Sequence, residues 1–216
     1  MDFVELLANF FKGGGIFMYP ILLILSLGTA IIIEKMIYLL RSGANGNALW
    51  KEIRPFIISN KIDDAIKSCE RSNVPLYKML RTGLVSAKDT ESREDIESSL
   101  EETLLEVLPK LERRTHYLPA LANVATLLGL LGTIIGLIQA FQAISVAEPS
   151  QRAAILAQGV SVAMNTTAFG LIVAIPIMLS YSFLQSRTVK IIDSLDEFSL
   201  KLINLIFSKK RERNVS

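Results

Sequence analysis

Two stretches decide the fold: YLPALANVATLLGLLGTIIGLIQAFQAISVA at residues 117–147 and AAILAQGVSVAMNTTAFGLIVAIPIMLSYSFLQS at residues 153–186. Neither contains an Asp, Glu, Lys, Arg or His, and only the five residues 148–152 separate them. As helices they would reach roughly 47 and 51 Å. The hydrocarbon core of a bilayer is only ~30 Å thick, so both should tilt or project beyond it. Both carry Thr, Asn, Ser and Gly where a plain membrane anchor would carry Leu. That pattern describes a polar path without a proton carrier of its own.

A third apolar run, 16–33, lies upstream between Lys12 and the pair Glu34, Lys35. At the helical rise it spans about 27 Å, enough for one crossing. Its N-terminal flank holds Asp2 and Glu5 against Lys12, unlike the basic start of a signal peptide, so it reads as a retained span. Phe3, Val4, Leu6, Leu7, Phe10 and Phe11 before Gly13-Gly14-Gly15 suggest a short interfacial helix. A backbone in lipid must satisfy its own hydrogen bonds, so all three spans should be helices.

Lys and Arg set the expected orientation. Arg41, Lys51, Arg54, Lys110, Arg113, Arg114, Arg187 and Lys190 flank one side of the spans, and the tail ends in Lys209, Lys210, Arg211 and Arg213. The other side offers Lys12 and Arg152. The expected layout is therefore a periplasmic segment 1–15, a first span 16–40, a cytoplasmic helical domain 41–116, spans 117–147 and 153–186 joined by a periplasmic turn 148–152, and a cytoplasmic helix with a basic tail over 187–216. The fold class is all-α integral membrane protein, multi-pass, with long cytoplasmic extensions.

In the cytoplasmic segment, Asn60 reads as the N-cap of a helix from 61 to 71, and Asn73 with Pro75 opens another. From Ser92 onward, Ile96, Leu100, Leu104, Val107 and Leu111 form an amphipathic stripe. That helix is expected to bend at Pro109 and continue unbroken into the second span.

Several functions are disfavoured. A net charge of +2 with no basic stripe argues against nucleic acid. Cys69 is the only cysteine and His116 the only histidine, so no metal site or cofactor is expected. The spans also lack the acid and base pairs of an intramembrane enzyme.

The polar groups recur at helical spacing. Asn123, Thr126 and Thr133 share one side of the second span, and Gly129, Gly132 and Gly136 form a flat packing face. The third span adds Ser161, Asn165, Thr166, Thr167 and Ser180, with Gly170 a further packing residue and Pro176 removing one backbone bond. Such groups often serve only to hold helices together, at ~0.6 kcal/mol each on average. Several within about two turns at one depth can instead solvate an ion or an ionisable group. Hydroxyls do not titrate near neutral pH, so a relay needs a carboxylate from elsewhere.

The run 127–141, LLGLLGTIIGLIQAF, resembles the second-span signature of the ExbB/TolQ/MotA proton-channel family, and 165–176, NTTAFGLIVAIP, resembles its third-span signature. The order and number of spans are closest to the ExbB/TolQ branch. The resemblance implies a homo-pentameric ring in the bacterial inner membrane. That ring would enclose an ExbD/TolR-like single-span partner whose Asp carries protons and whose motion drives work in the envelope. Thr133 and Thr167 stand at the positions of the family's pore threonines and would hydrogen-bond that Asp. Asn165, Thr166, Asn123 and Thr126 are further pore candidates. Val162 occupies a position where ExbB and TolQ usually carry Glu, and Thr126 one where a proline is common; both H⁺ and Na⁺ coupling stay open. The alternative function is a scaffold that anchors a partner without conducting ions.

Overall fold

The computed structural model describes residues 13–43, 46–90 and 92–215. The interfacial helix expected over 3–11 lies outside them. Within the described residues the chain forms seven helices: α1 Met18–Ser42, α2 Gly46–Ile58, α3 Ile62–Cys69, α4 Pro75–Asp89, α5 Arg93–Glu112, α6 Tyr117–Val146 and α7 Arg152–Val215. Three helical stretches are long and apolar enough to cross a membrane, one each from the α1, α6 and α7 regions. Together with the all-helical fold this makes the chain a multi-pass membrane protein.

The chain divides into two compact units. One comprises the described residues up to Glu34 with Arg114–Phe183. Here α6 and α7 run antiparallel through a face of small residues. Ala122, Ala125, Gly129, Gly132, Gly136 and Ala140 are all buried on α6. Around them Leu127, Leu130, Ile134, Ile138 and Phe141 stay exposed, an apolar surface that water would not tolerate but lipid or a neighbouring helix would.

The second unit comprises Lys35–Arg113 with the chain from Leu184 onward. Helices α2 to α5 pack with the C-terminal half of α7, whose Leu195, Phe198, Leu202 and Ile203 are buried. Trp50 on α2 meets Phe198 with ring centroids 6.0 Å apart. A Cβ at Gly83 on α4 would lie 2.7 Å from a Leu202 methyl and 2.8 Å from a Leu100 methyl, so those side chains pack directly over the bare glycine. The stripe on α5 is inward: Ile96, Leu100, Val107 and Leu111 are buried. Ser92 caps that helix by accepting from the Asp95 amide at 3.4 Å.

Two sequence expectations are corrected. Asn60 is not an N-cap. It has φ +60° and closes α2, with the Lys61 amide donating to the Phe56 carbonyl at 2.8 Å. Asn tolerates the left-handed conformation better than other non-glycine residues, which suits it to a helix end. Nor does α5 continue into α6. Arg114 has φ +66° and the helix stops at Glu112. Pro119 explains why the interruption lies where it does. Its ring and missing N–H oppose a helical hydrogen bond to the Thr115 carbonyl, yet fit the first turn of a new helix.

Lys35 completes this break. It is 3% exposed, and its Nζ donates to the carbonyls of Lys110 at 3.1 Å and Leu111 at 3.3 Å. These are among the carbonyls that the end of α5 leaves without a helical partner. A cation there also complements the negative end of the helix dipole.

Candidate ion-pathway site

The site is built on the α6–α7 contact. A Cβ on Gly129 would lie 3.2 Å from the Thr167 Cα, and one on Gly170 would lie 2.7 Å from the Ala125 carbonyl oxygen. Gly132 faces Thr166, with 2.9 Å from its hypothetical Cβ to that of Thr166, and Gly136 faces Ala163 at 3.2 Å. Removing side chains here lets two backbones approach closely enough for side chain-to-backbone bonds. Ala163 and Gly159, which packs against Ala140, complete the face from α7. The signal that could have found them was the same small-residue spacing, continued on the second helix.

The closeness positions Thr167. Its hydroxyl donates to the Gly129 carbonyl across the contact at 2.9 Å, and the residue is half-buried. Thr133, also half-buried, donates to the Leu130 carbonyl on its own helix at 2.6 Å. A carbonyl can only accept, so each hydroxyl spends its one proton on the backbone. What both still offer is lone pairs. With this geometry they present acceptors, suited to a protonated acid or a cation.

Thr166 occupies a different environment. It is 1% exposed, and its hydroxyl lies 2.6 Å from the Gly14 carbonyl and 2.9 Å from that of Val162. It ties the segment preceding α1 to α7. In that same segment Gly15 has φ +73°, and a Cβ on it would lie 3.4 Å from the Val162 side chain. No local signal in the sequence announces a bond between residues 152 positions apart.

The remaining candidates are spread more widely. Thr126 is exposed and bonds back to the Ala122 carbonyl at 3.1 Å, and Asn123 is exposed beside it. Asn165 is half-buried, about 100° per residue around α7 from Thr166 and about 200° from Thr167, hence turned away from the α6 contact. Pro176 is exposed within α7. The contact thus brings Thr166 and Thr167 together with Gly129, Gly132 and Gly170, and leaves Asn123, Thr126 and Asn165 outside it.

All of α6 and α7 as far as residue 197 lie in the segment 71–197, which matches the model of the MotA/TolQ/ExbB proton channel family. The chain belongs to that family. It is 30% identical over 169 residues to the biopolymer transport protein ExbB-like 3 of Synechocystis, covering 77% of this chain and 79% of that one. It is 27% identical over 198 residues to an ExbB homolog of Methanothermobacter thermautotrophicus, covering 91% and 69%. The Tol-Pal system protein TolQ of Haemophilus influenzae shares 34% over 106 residues, 47% of this chain and 46% of TolQ. These relatives put this family member in the ExbB/TolQ branch.

Proposed function

We propose that the chain is the ring-forming, ion-conducting subunit of a motor driven by the ion-motive force across a bacterial inner membrane. It works without catalysing a covalent reaction, as a homo-pentamer around an ExbD/TolR-like single-span partner that supplies an Asp. The N-terminus faces the periplasm, the C-terminus and the α2–α5 unit the cytoplasm. The output is envelope transport, envelope maintenance or surface motility.

The observation that carries this reading is the pairing of Thr167 with the Gly129 carbonyl between the apolar stretches 117–147 and 153–186, which contain no Asp, Glu, Lys, Arg or His. An isolated charge there would be costly, so a partner's Asp entering such a lumen starts neutral. Thr133 and Thr167 can accept its proton-bearing O–H and hold that state. To support the carboxylate instead, a hydroxyl must swing off its backbone carbonyl, giving up a bond worth about 1 kcal/mol. The ion-binding step and a small hydroxyl rotation are thereby coupled.

The test is reconstitution with an ExbD/TolR-type single-span protein, followed by proton and Na⁺ flux measurements in vesicles. Flux that requires both chains is the expected result. A complex that assembles but passes neither ion would leave the scaffold reading in its place.

A further inference from the structure

Away from the spans, the second unit contains a cavity of about 520 Å³ between the α3–α4 loop and the ends of α4 and α5. Its wall carries Lys78 and Arg81 from α4, Lys110 from α5, and the polar side chains of Ser72 and Asn73, against the single carboxylate of Glu70. The geometry points to a binding site for a phosphate-bearing anion.

The cations are held in place by Glu106 from outside the cavity and by Glu70 on its wall. Glu106 pairs with both Lys78 and, at 2.8 Å, Lys110. Glu70 pairs with Arg81 at 3.2 Å. An ammonium carries three N–H donors and a guanidinium five, so each cation keeps donors beyond its ion pair. Counted together, three cations face two carboxylates, and the surplus positive charge lies at the cavity. The neighbouring Cys69 adds no competing anion, because burial pushes its thiol up to about 12.

The cavity's position along the chain narrows the ligand. The Lys110 carbonyl is bonded by Lys35, which lies two residues past the apolar run 16–33 on the same helix. Basic residues that follow an apolar run of this length meet lipid headgroups where such a run crosses a bilayer. Anionic lipids gather at basic residues in that zone. A phospholipid headgroup and soluble phosphate share the chemistry that the cavity recognises.

Two arms separate the sources. In the first, protein in phosphatidylcholine nanodiscs doped with phosphatidylglycerol is delipidated stepwise, and retained lipid is counted by native mass spectrometry. In the second, inorganic phosphate is titrated into protein in pure phosphatidylcholine, and the thermal unfolding midpoint is followed. Retention of phosphatidylglycerol that falls about tenfold or more in the Lys78→Gln, Arg81→Gln, Lys110→Gln triple variant assigns the lipid headgroup. A midpoint that rises with phosphate in the native chain and not in the triple variant assigns the soluble anion. Asn73→Asp places a negative charge in the cavity with every ion pair intact and should give the same loss. Lys88→Gln, which removes an equally exposed cation paired with Asp63 elsewhere, should leave binding unchanged. If neither ligand distinguishes the native chain from the triple variant and from Asn73→Asp, or if Lys88→Gln weakens binding equally, the site does not exist.

Discussion

The Thr167 hydroxyl reaches across two packed helices to the Gly129 carbonyl, 2.9 Å away. This bond exists because neither Gly129 nor Gly170 interposes a Cβ. Replacing Thr167 with Ser should preserve ion flux, since the hydroxyl and its partner remain. Thr133→Val with Thr167→Val should abolish flux while leaving assembly intact, because the lost bonds contribute only ~0.6 kcal/mol each to helix association on average. Vesicle flux and size-exclusion profiles of the partnered complex measure the two quantities. Native flux from the double variant would remove both threonines from the pathway.

The small-residue face should respond to added methyls in a set order. Gly170→Ala forces a Cβ to 2.7 Å from a backbone oxygen that cannot rotate aside. A loss of about 1–3 kcal/mol is expected for overpacking of this kind. Gly136→Ala meets Ala163 at 3.2 Å and should cost distinctly less. Equilibrium unfolding in detergent ranks the pair, and equal values would argue against helices in this register.

Lys35→Met should expose the end of α5. The Lys110 and Leu111 carbonyls lose a charged donor, which corresponds to about 1–3 kcal/mol for buried groups left unpaired. Amide hydrogen exchange should accelerate around residues 110–118, where the helix break depends on that side chain. Exchange unchanged there would mean the lysine is dispensable.

Thr188 makes the opposite prediction. Its hydroxyl oxygen is buried on α7 with no hydrogen-bond partner among the described residues, as is that of Thr115. A buried, unmatched polar atom is destabilising, and Val has the same shape without it. Thr188→Val should raise stability by about 1 kcal/mol, read as a higher unfolding midpoint.

Glu106 governs acid behaviour on the α4–α5 surface. Hydrogen bonds from Lys110 and Lys78, with their charges, hold its carboxyl down to about 2. The folded-state value lies below the ordinary 4.5, so the pairing stabilises the fold above that pH. The contribution fades as pH falls from about 4.5 through 2 and is constant near neutrality. Carbon-detected NMR titration should show the depressed midpoint, and Lys78→Met with Lys110→Met should return it toward 4.5.

Much of the architecture was legible because its cause is local. Uncharged runs longer than a bilayer specify spanning helices whatever they pack against. The spacing of Gly129, Gly132 and Gly136 marks a close-contact face from one helix alone. Pro75 marks the start of α4 in the same way. Pro109 is equally visible and suggests a bend in one long helix, but α5 runs through it to Glu112, and the full break comes with the left-handed Arg114 and the Lys35 contact.

The sequence by itself determined which segments are long and apolar enough to cross lipid and which residue types meet there, since burial in hydrocarbon filters composition residue by residue. Tertiary structure decided the direction of each hydroxyl. Thr166 and Thr167 are adjacent and chemically identical, yet one ties down Gly14 and the other bonds Gly129. The reason is geometric: successive residues on a helix point about 100° apart. Which backbone each one meets depends on chain segments far away in sequence.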